Sequence, residues 1–425
     1  MVGVRLAPLV VCLALLAASC GQPAARTSIP TVGGDWPMYR GDLARDGHPP
    51  SATLDAAGAA RLQLAWHAHL AGAIDGSPVV ESGKVVAGSA NGELAAFDEK
   101  TGARLWIRSG LGPISGSPAT AGNRVFAATL TGHVRAFDLT VGSDVWDWKA
   151  EGVQPALWSS PTIFGGLLLI GVGSQASDTP LETGRIVALD AGSGHELWTT
   201  CAIAGCLPGG GIWSTPSIDS GGRAYVGVGN PVDGVLAFDA RTGVRFWETS
   251  FYSDASRDLD VGASPVLVDL HGREALAVGS AGGVFEMLDA VSGSVIWSQD
   301  LVQGSAVHGL IATAAYDGVN LYVASASPPT GVYARKLDGS DAWTLGTFQP
   351  VYSAPSAGNG FVLFGTGAVF GDLKTGLILA LSSRDGRVIW SYDARSAVRS
   401  SPAIAGNVVM VGDAAGDLFA FQPSS

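Results

Sequence analysis

There is no basic stripe in this 425-residue sequence. Its 25 Lys and Arg are outnumbered by 37 Asp and Glu, for a formal net charge of −12. A surface of that sign does not attract a phosphate backbone, which excludes nucleic acid as a partner. Charge of either sign is scarce, at 15% of residues, while hydrophobic residues reach 47%, a balance that excludes a disordered chain. Cysteine is nearly absent: Cys12, Cys20, Cys201 and Cys206 are all there are. None stands in a Cys-x-x-Cys-His motif, so a c-type haem has no attachment point, and no zinc motif or Ser-His-Asp arrangement is present. Glycine-rich snatches such as Gly227–Gly229 precede no helical pattern and are turns, not nucleotide loops. The one apolar run, Leu9–Ala18, is too short to span a membrane as a permanent helix.

What the chain does contain is a repeat. In Ser214–Trp247 two turn signals, Ser220-Gly221-Gly222 and Arg241-Thr242-Gly243, separate short runs rich in β-branched and aromatic residues. Each run is too short for a helix and alternates with a period of two. Four strands are expected: Thr215–Asp219, Arg223–Val228, Val235–Asp239 and Val244–Thr249. Trp66, Trp106, Trp146, Trp198, Trp247, Trp297, Trp343 and Trp390 repeat this unit at intervals of 40 to 52 residues. Pro78, Pro118, Pro161, Pro216, Pro265, Pro355 and Pro402 run out of phase with them, and Ile311 takes the vacant slot. This is the pattern of an all-β, eight-bladed β-propeller of four-stranded antiparallel blades. Seven blades is the alternative, if the irregular unit at Gly309–Leu345 is not a blade.

Because Trp66 precedes Pro78 and Pro402 has no Trp after it, the N-terminal strand, Leu62–Leu70, is expected to close the ring and leave no long edge exposed. Residues 35–425 then form one propeller, with an N-terminal strap over 35–60. The phase puts two insertions, Ser174–Glu182 and Gly367–Thr375, on one face with Cys201 and Cys206, and that face is where function is expected. Three residues before each anchor the ring reads Asp75, Ser115, Trp158, Trp213, Gly262, His308, Tyr352 and Arg399. Such variety at a repeat position suits a ligand-lined mouth, or an irregular loop entrance. His67 and His69 share a face of the closing strand but have no third metal ligand nearby and read as surface residues.

The first 20 residues read as a targeting segment, with Arg5 before the apolar core. The ending Leu16-Ala17-Ala18-Ser19-Cys20-Gly21 resembles a bacterial lipoprotein box. It implies lipidation at Cys20 and an exported protein held on the extracytoplasmic side of a bacterial membrane. The alternative is an ordinary secretory signal with a chance cysteine. Residues 21–34 read as a flexible tether. In an exported chain the remaining pair, Cys201 and Cys206, reads as a disulfide, with two free thiols as the alternative.

The units Ser-Pro … Ala-x-Asp-x-x-Thr-Gly-x-x-x-Trp resemble PQQ-type propeller repeats over about residues 35–425. Two relatives of different function share them: the quinoprotein alcohol dehydrogenases, including the polyvinyl-alcohol type, and the non-catalytic lipoprotein scaffold of the outer-membrane β-barrel assembly machine. Asp35-Trp36-Pro37-Met38-Tyr39 is similar to the start of the dehydrogenases. Gly209–Trp213 with Gly227–Pro231, and Asp258–Pro265, resemble their site segments. The resemblance implies PQQ and calcium as cofactors. Trp213 would be the aromatic floor, Asp260 the catalytic base, and Glu182, Asn230 and Asp260 the cation ligands. Glu182 and Asn230 would thereby also contribute to cofactor binding. It implies an alcohol or polymeric alcohol as substrate, or an envelope protein as partner. The family's adjacent cysteine pair is missing near Ile114–Gly116, and the basic residue expected near Ala281 is missing too.

Overall fold

The computed structural model describes residues 1–3, 35–49, 52–253 and 258–424. Cys20 and most of the expected targeting segment and tether lie outside the described residues. Eight separate four-stranded antiparallel sheets make the eight blades. In the fourth they are Ser217–Ile218, Arg223–Val228, Gly234–Asp239 and Arg245–Ser250, so the innermost strand is shorter than expected. The irregular unit is a full blade: Ala315–Tyr316, Asn320–Ser325, Gly331–Lys336 and Asp341–Gly346.

The expectation that the N-terminal strand closes the fold is corrected by the sheet topology. No sheet closes on itself. Leu62–His69 pairs with Asp417–Pro423 alone, as the outer strand of the eighth sheet. Each sheet keeps two edge strands, so the edges are not abolished. The physical reason is that ladder hydrogen bonds run within a blade, while neighbouring blades meet side chain to side chain.

The repeated tryptophans supply that contact. In all eight blades the register shifts by a bulge just before the tryptophan, as between Ala96 and Phe97 opposite Trp106 and Arg104. The bulge re-aims the ring toward the next blade. Trp66 Nε1–H donates to the carbonyl of Glu99 at 2.8 Å, and Trp106 Nε1–H to that of Leu139 at 2.9 Å. The indole of Trp66 lies against Gly102, where a Cβ would come within 2.6 Å of the ring. Hence the glycine of these turns: in the first, Asp98 Oδ1 accepts from Thr101, and the glycine leaves room for the neighbour's tryptophan.

A second tie runs round the channel. The N–H of each residue before the anchor donates to the hydroxyl of its counterpart in the next blade: Ser77 to Ser117, Ser117 to Ser160, Ser160 to Thr215, Thr215 to Ser264 and Ser264 to Thr313, at 2.8–3.0 Å. This belt corrects one expectation. The vacant anchor slot belongs to Ala314, directly after Thr313, and not to Ile311. Without a proline to mark it, the longer entrance to the sixth blade shifted the count by three.

Residues 36–49 thread through the ring. Carbonyls of Trp36, Pro37, Leu43, Ala44, Asp46 and Gly47 accept from Val80, Thr120, Ile218, Leu267, Tyr316 and Ala357, one each from six innermost strands. Arg45 reaches the third blade through Thr162 Oγ1 at 2.6 Å, and the carbonyl of Gly406 in the eighth accepts from Thr53. This segment fills the channel from the face opposite the insertions.

One blade departs from the pattern in a testable way. Ser89, Thr129 and Ser280 each accept an N–H from four residues on. Asp413 does so in the eighth blade, at 2.9 Å from the Asp417 nitrogen. Its other oxygen is buried without a partner. Burial pushes this carboxyl up to about 6. A raised acid is favoured protonated in the folded state, so its contribution is lost as pH rises through about 6. Asp413→Ser is expected to stabilise the protein at pH 7 by up to about 3 kcal/mol and to flatten stability between pH 4 and 6. Thermal unfolding at pH 4, 5.5 and 7 checks it.

Candidate functional site

The insertion-bearing face carries the mouth of the channel, and its ring residues pair across blades. Arg399 meets Asp75 Oδ1 through Nε at 2.8 Å and Nη2 at 2.7 Å, joining the eighth blade to the first. His308 Nδ1 lies 2.6 Å from the Tyr352 hydroxyl. Ile311 is the true counterpart of the other ring residues, so His308 reaches the mouth from further up its loop. Trp158 Nε1–H donates to the carbonyl of Ser174 at 2.9 Å.

The richest pairing joins the fourth and fifth blades. Trp213 Nε1–H donates to Asp260 Oδ2 at 2.8 Å, and the Asn230 backbone N–H donates to Asp260 Oδ1 at 2.9 Å. Both carboxylate oxygens are thereby oriented. Two glycines make this possible. A Cβ on Gly229 would lie 2.7–2.8 Å from the Asp260 carboxylate. A Cβ on Gly262 would overlap the Trp213 ring at Cη2, Cζ2 and Cζ3. The indole therefore lies flat against the Gly262 backbone.

Two more carboxylates crowd this one. Asp233 is 1% exposed, and its Oδ1 is buried without a hydrogen-bond partner. Burial first, then the charges of Asp260 and Asp258, push its carboxyl up to about 7. Asp258 is raised to about 6 by desolvation and then by Asp260. The arrangement holds three acids and the Asn230 backbone on one side of the mouth. It can accept protons or place hard oxygen ligands around a cation.

The sequence brought attention to Trp213, Asn230 and Asp260, and the structure sets them together. Glu182 is elsewhere. It is 6% exposed, and its Oε1 accepts the backbone N–H of Gln154 at 2.5 Å in the entrance to the third blade. Among the described residues no group of three His, Cys, Asp or Glu is placed to hold a metal ion alone. Asp233 went unread because only folding brings it to Asp260. Asp258 was visible two residues before Asp260. Cys201 and Cys206 are disulfide-bonded, with Cα atoms 5.2 Å apart. The loop they begin runs to Gly210, whose N–H donates to the Asn230 carbonyl at 2.7 Å. His67 and His69 are exposed on the outer strand, and His69 pairs with Asp417.

Comparison with known proteins follows this geometry. A family model described as outer membrane protein assembly factor BamB matches residues 52–199, 182–283 and 280–425. A polyvinylalcohol dehydrogenase from a Pseudomonas species is 26% identical over 423 residues, covering 82% of this chain. The chain spans 66% of that dehydrogenase's length. The BamB of Burkholderia pseudomallei (strain K96243) is 29% identical over 374 residues, covering 85% of this chain and 88% of the relative. The crystal structure of quinohemoprotein alcohol dehydrogenase from Comamonas testosteroni shares the fold. Its TM-score is 0.81 at 17% identity, covering 92% of this chain and 80% of that one.

Proposed function

We propose that this chain, which belongs to the PQQ-type β-propeller family described as outer membrane protein assembly factor BamB, is an extracytoplasmic PQQ-dependent oxidoreductase acting on an alcohol or polyol. The observation that carries this reading is the locked group of Trp213, Asp260 and Asn230 at the channel mouth. The polyvinylalcohol dehydrogenase that matches 82% of the chain supports it.

The residues fit the implied cofactors in part. Trp213, flat on Gly262, offers an aromatic floor to a planar quinone. Asp260, Asp258, Asp233 and the Asn230 side chain offer hard oxygens of the kind calcium prefers. They do not make a closed cage, so a calcium ion here would share its coordination with oxygens of the quinone. When bound, the quinone supplies the hydride acceptor and the cation polarises its carbonyl. The protein's own contribution is positional. The Trp213 and Asn230 N–H groups hold Asp260 in one orientation, in which its carboxylate would take the substrate's hydroxyl proton. The threaded residues 36–49 occupy the channel behind the site, so substrate would enter and leave by the mouth face.

In this reading the chain is anchored by lipid on Cys20. Among the described residues no helix is long and apolar enough to cross a membrane. A second reading, a non-catalytic scaffold for an envelope protein, is favoured by coverage, because the chain spans 88% of its assembly-factor relative. It is also favoured by exposed apolar side chains on the mouth face, where Phe348 is fully exposed and Phe370 is 66% exposed. Phe251 and Tyr252 are only partly exposed, and the Tyr252 hydroxyl is held by Ser280.

The two readings separate on Asp260. Asp260→Asn is expected to lower dye-linked alcohol oxidation by about 100-fold or more with an unchanged unfolding midpoint. Full activity in that variant would remove Asp260 from the chemistry.

A further inference from the structure

A second feature of the same face lies away from the channel. A cavity of about 370 Å3 opens over the second blade, between the connections that enter the second and third blades. Its walls are mixed in character. Pro113, Val153 and Pro155 present apolar surface, while Thr131, Gln154 and Gln175 present hydroxyl and amide groups. Val153 is 78% exposed. Lys149 is the one charged side chain in the lining.

Polar contacts tie the walls of this groove together. Glu182 spends its carboxylate on the Gln154 N–H, which fixes the outer wall. Arg185 donates to the Glu151 carbonyl just before it. Gln175 Nε2 donates to the Leu130 carbonyl at 2.7 Å and ties the insertion of the third blade to the turn of the second. Gln175 in the lining directly follows Ser174, whose carbonyl accepts from Trp158 of the mouth ring.

We infer that this groove binds an extended, uncharged polyhydroxylated chain, a segment of a polymeric alcohol whose reacting carbinol sits two blades further round the mouth at Asp260. The inference rests on the oxidoreductase reading for the identity of the substrate, but not for binding itself. A backbone of alternating methylene and carbinol carbons presents apolar surface and a hydroxyl in turn. Proline and valine walls cover the first, and amide and hydroxyl groups, each able to donate or accept, satisfy the second. The volume is at the lower end for small-ligand sites, as suits one stretch of a longer chain. This gives Glu182 a role as a positioning residue for the polymer wall.

The test is affinity electrophoresis of the full chain in native gels containing polyvinyl alcohol, without quinone. The wild-type chain is retarded. Val153→Asp weakens the apparent affinity at least tenfold with an unchanged unfolding midpoint. Val141→Asp, at a 60% exposed position on the opposite face, is retarded like the wild type. A wild-type chain that the polymer does not retard overturns the inference. So does retardation that survives both Val153→Asp and Gln175→Ala. Retardation that depends on Val153, in a chain whose midpoint PQQ does not move, upholds the groove and removes the oxidoreductase reading alone.

Discussion

Gly262→Ala loses quinone binding by about 100-fold or more while the propeller stays folded. The argument is steric and local. The added methyl would occupy the space now held by the Cη2 side of the Trp213 ring. The three atoms nearest the new methyl all belong to the indole, so the indole must lift. Lifting breaks the 2.8 Å bond from Trp213 Nε1 to Asp260. One methyl thus disturbs both the floor under the cofactor and the orientation of the carboxylate. Misplacement of about 1 Å in such a group costs on the order of 100-fold. Titration of PQQ against tryptophan fluorescence reads the loss. Gly211→Ala is the control. It lies two residues before Trp213, and its nearest neighbour to a new Cβ is 3.7 Å away, so it binds as the wild type. Equal binding by Gly262→Ala would mean that Trp213 is not the floor.

Arg45→Met has the largest expected effect on stability. The guanidinium is fully buried, and burial pulls it down to about 10. It stays charged at neutral pH because its donors are engaged. Nε donates to Pro216, Nη1 to the carbonyls of Tyr39 and Asp42, and Nη2 to Thr162 Oγ1, all within 2.6–2.9 Å. Methionine fills part of the space and donates nothing. Three carbonyls lose this donor, that of Pro216 buried and those of Tyr39 and Asp42 partly buried, at about 1–3 kcal/mol for each one left unsatisfied. The sum is about 3 kcal/mol, expressed as release of residues 36–49 from the ring. A lower unfolding midpoint with new proteolytic cleavage in that segment is the expected result. A variant with wild-type midpoint and no new cleavage would show that the threaded segment does not hold the blades.

Much of the fold was legible because each blade repeats the same contacts. Tryptophan, Asp-x-x-Thr-Gly and Ser-Pro recur because each latches one blade to the next, and eight copies make the signal plain. Where the anchor lost its proline, at Ala314, the count slipped to Ile311. The role of the N-terminal strand was misjudged for another reason. Its sequence shows that it completes a sheet, but not that sheets stay separate. The site was legible only in part. Trp213, Asn230 and Asp260 stand in short distinctive segments. Asp233 and the fit of Trp213 on Gly262 depend on contacts between or within loops that occur once, and single contacts leave no period. Glu182 shows the reverse hazard. A lone buried acid near the right segment suggested a cation ligand, while its carboxylate caps a neighbouring loop. Arg40 and Arg45 carry no sequence signal of burial, because only the ring gives them carbonyls to bind.

The most direct measurement is thermal unfolding of the wild-type chain with and without PQQ and calcium. A ligand that binds only the folded state must raise the midpoint, by about 2.7 kcal/mol of added stability at 100 times its dissociation constant. The expected result is a rise that disappears in Trp213→Ala and shrinks in Asn230→Ala. An unmoved midpoint at saturating PQQ and calcium would contradict the quinone reading and turn attention to a protein partner for the mouth face.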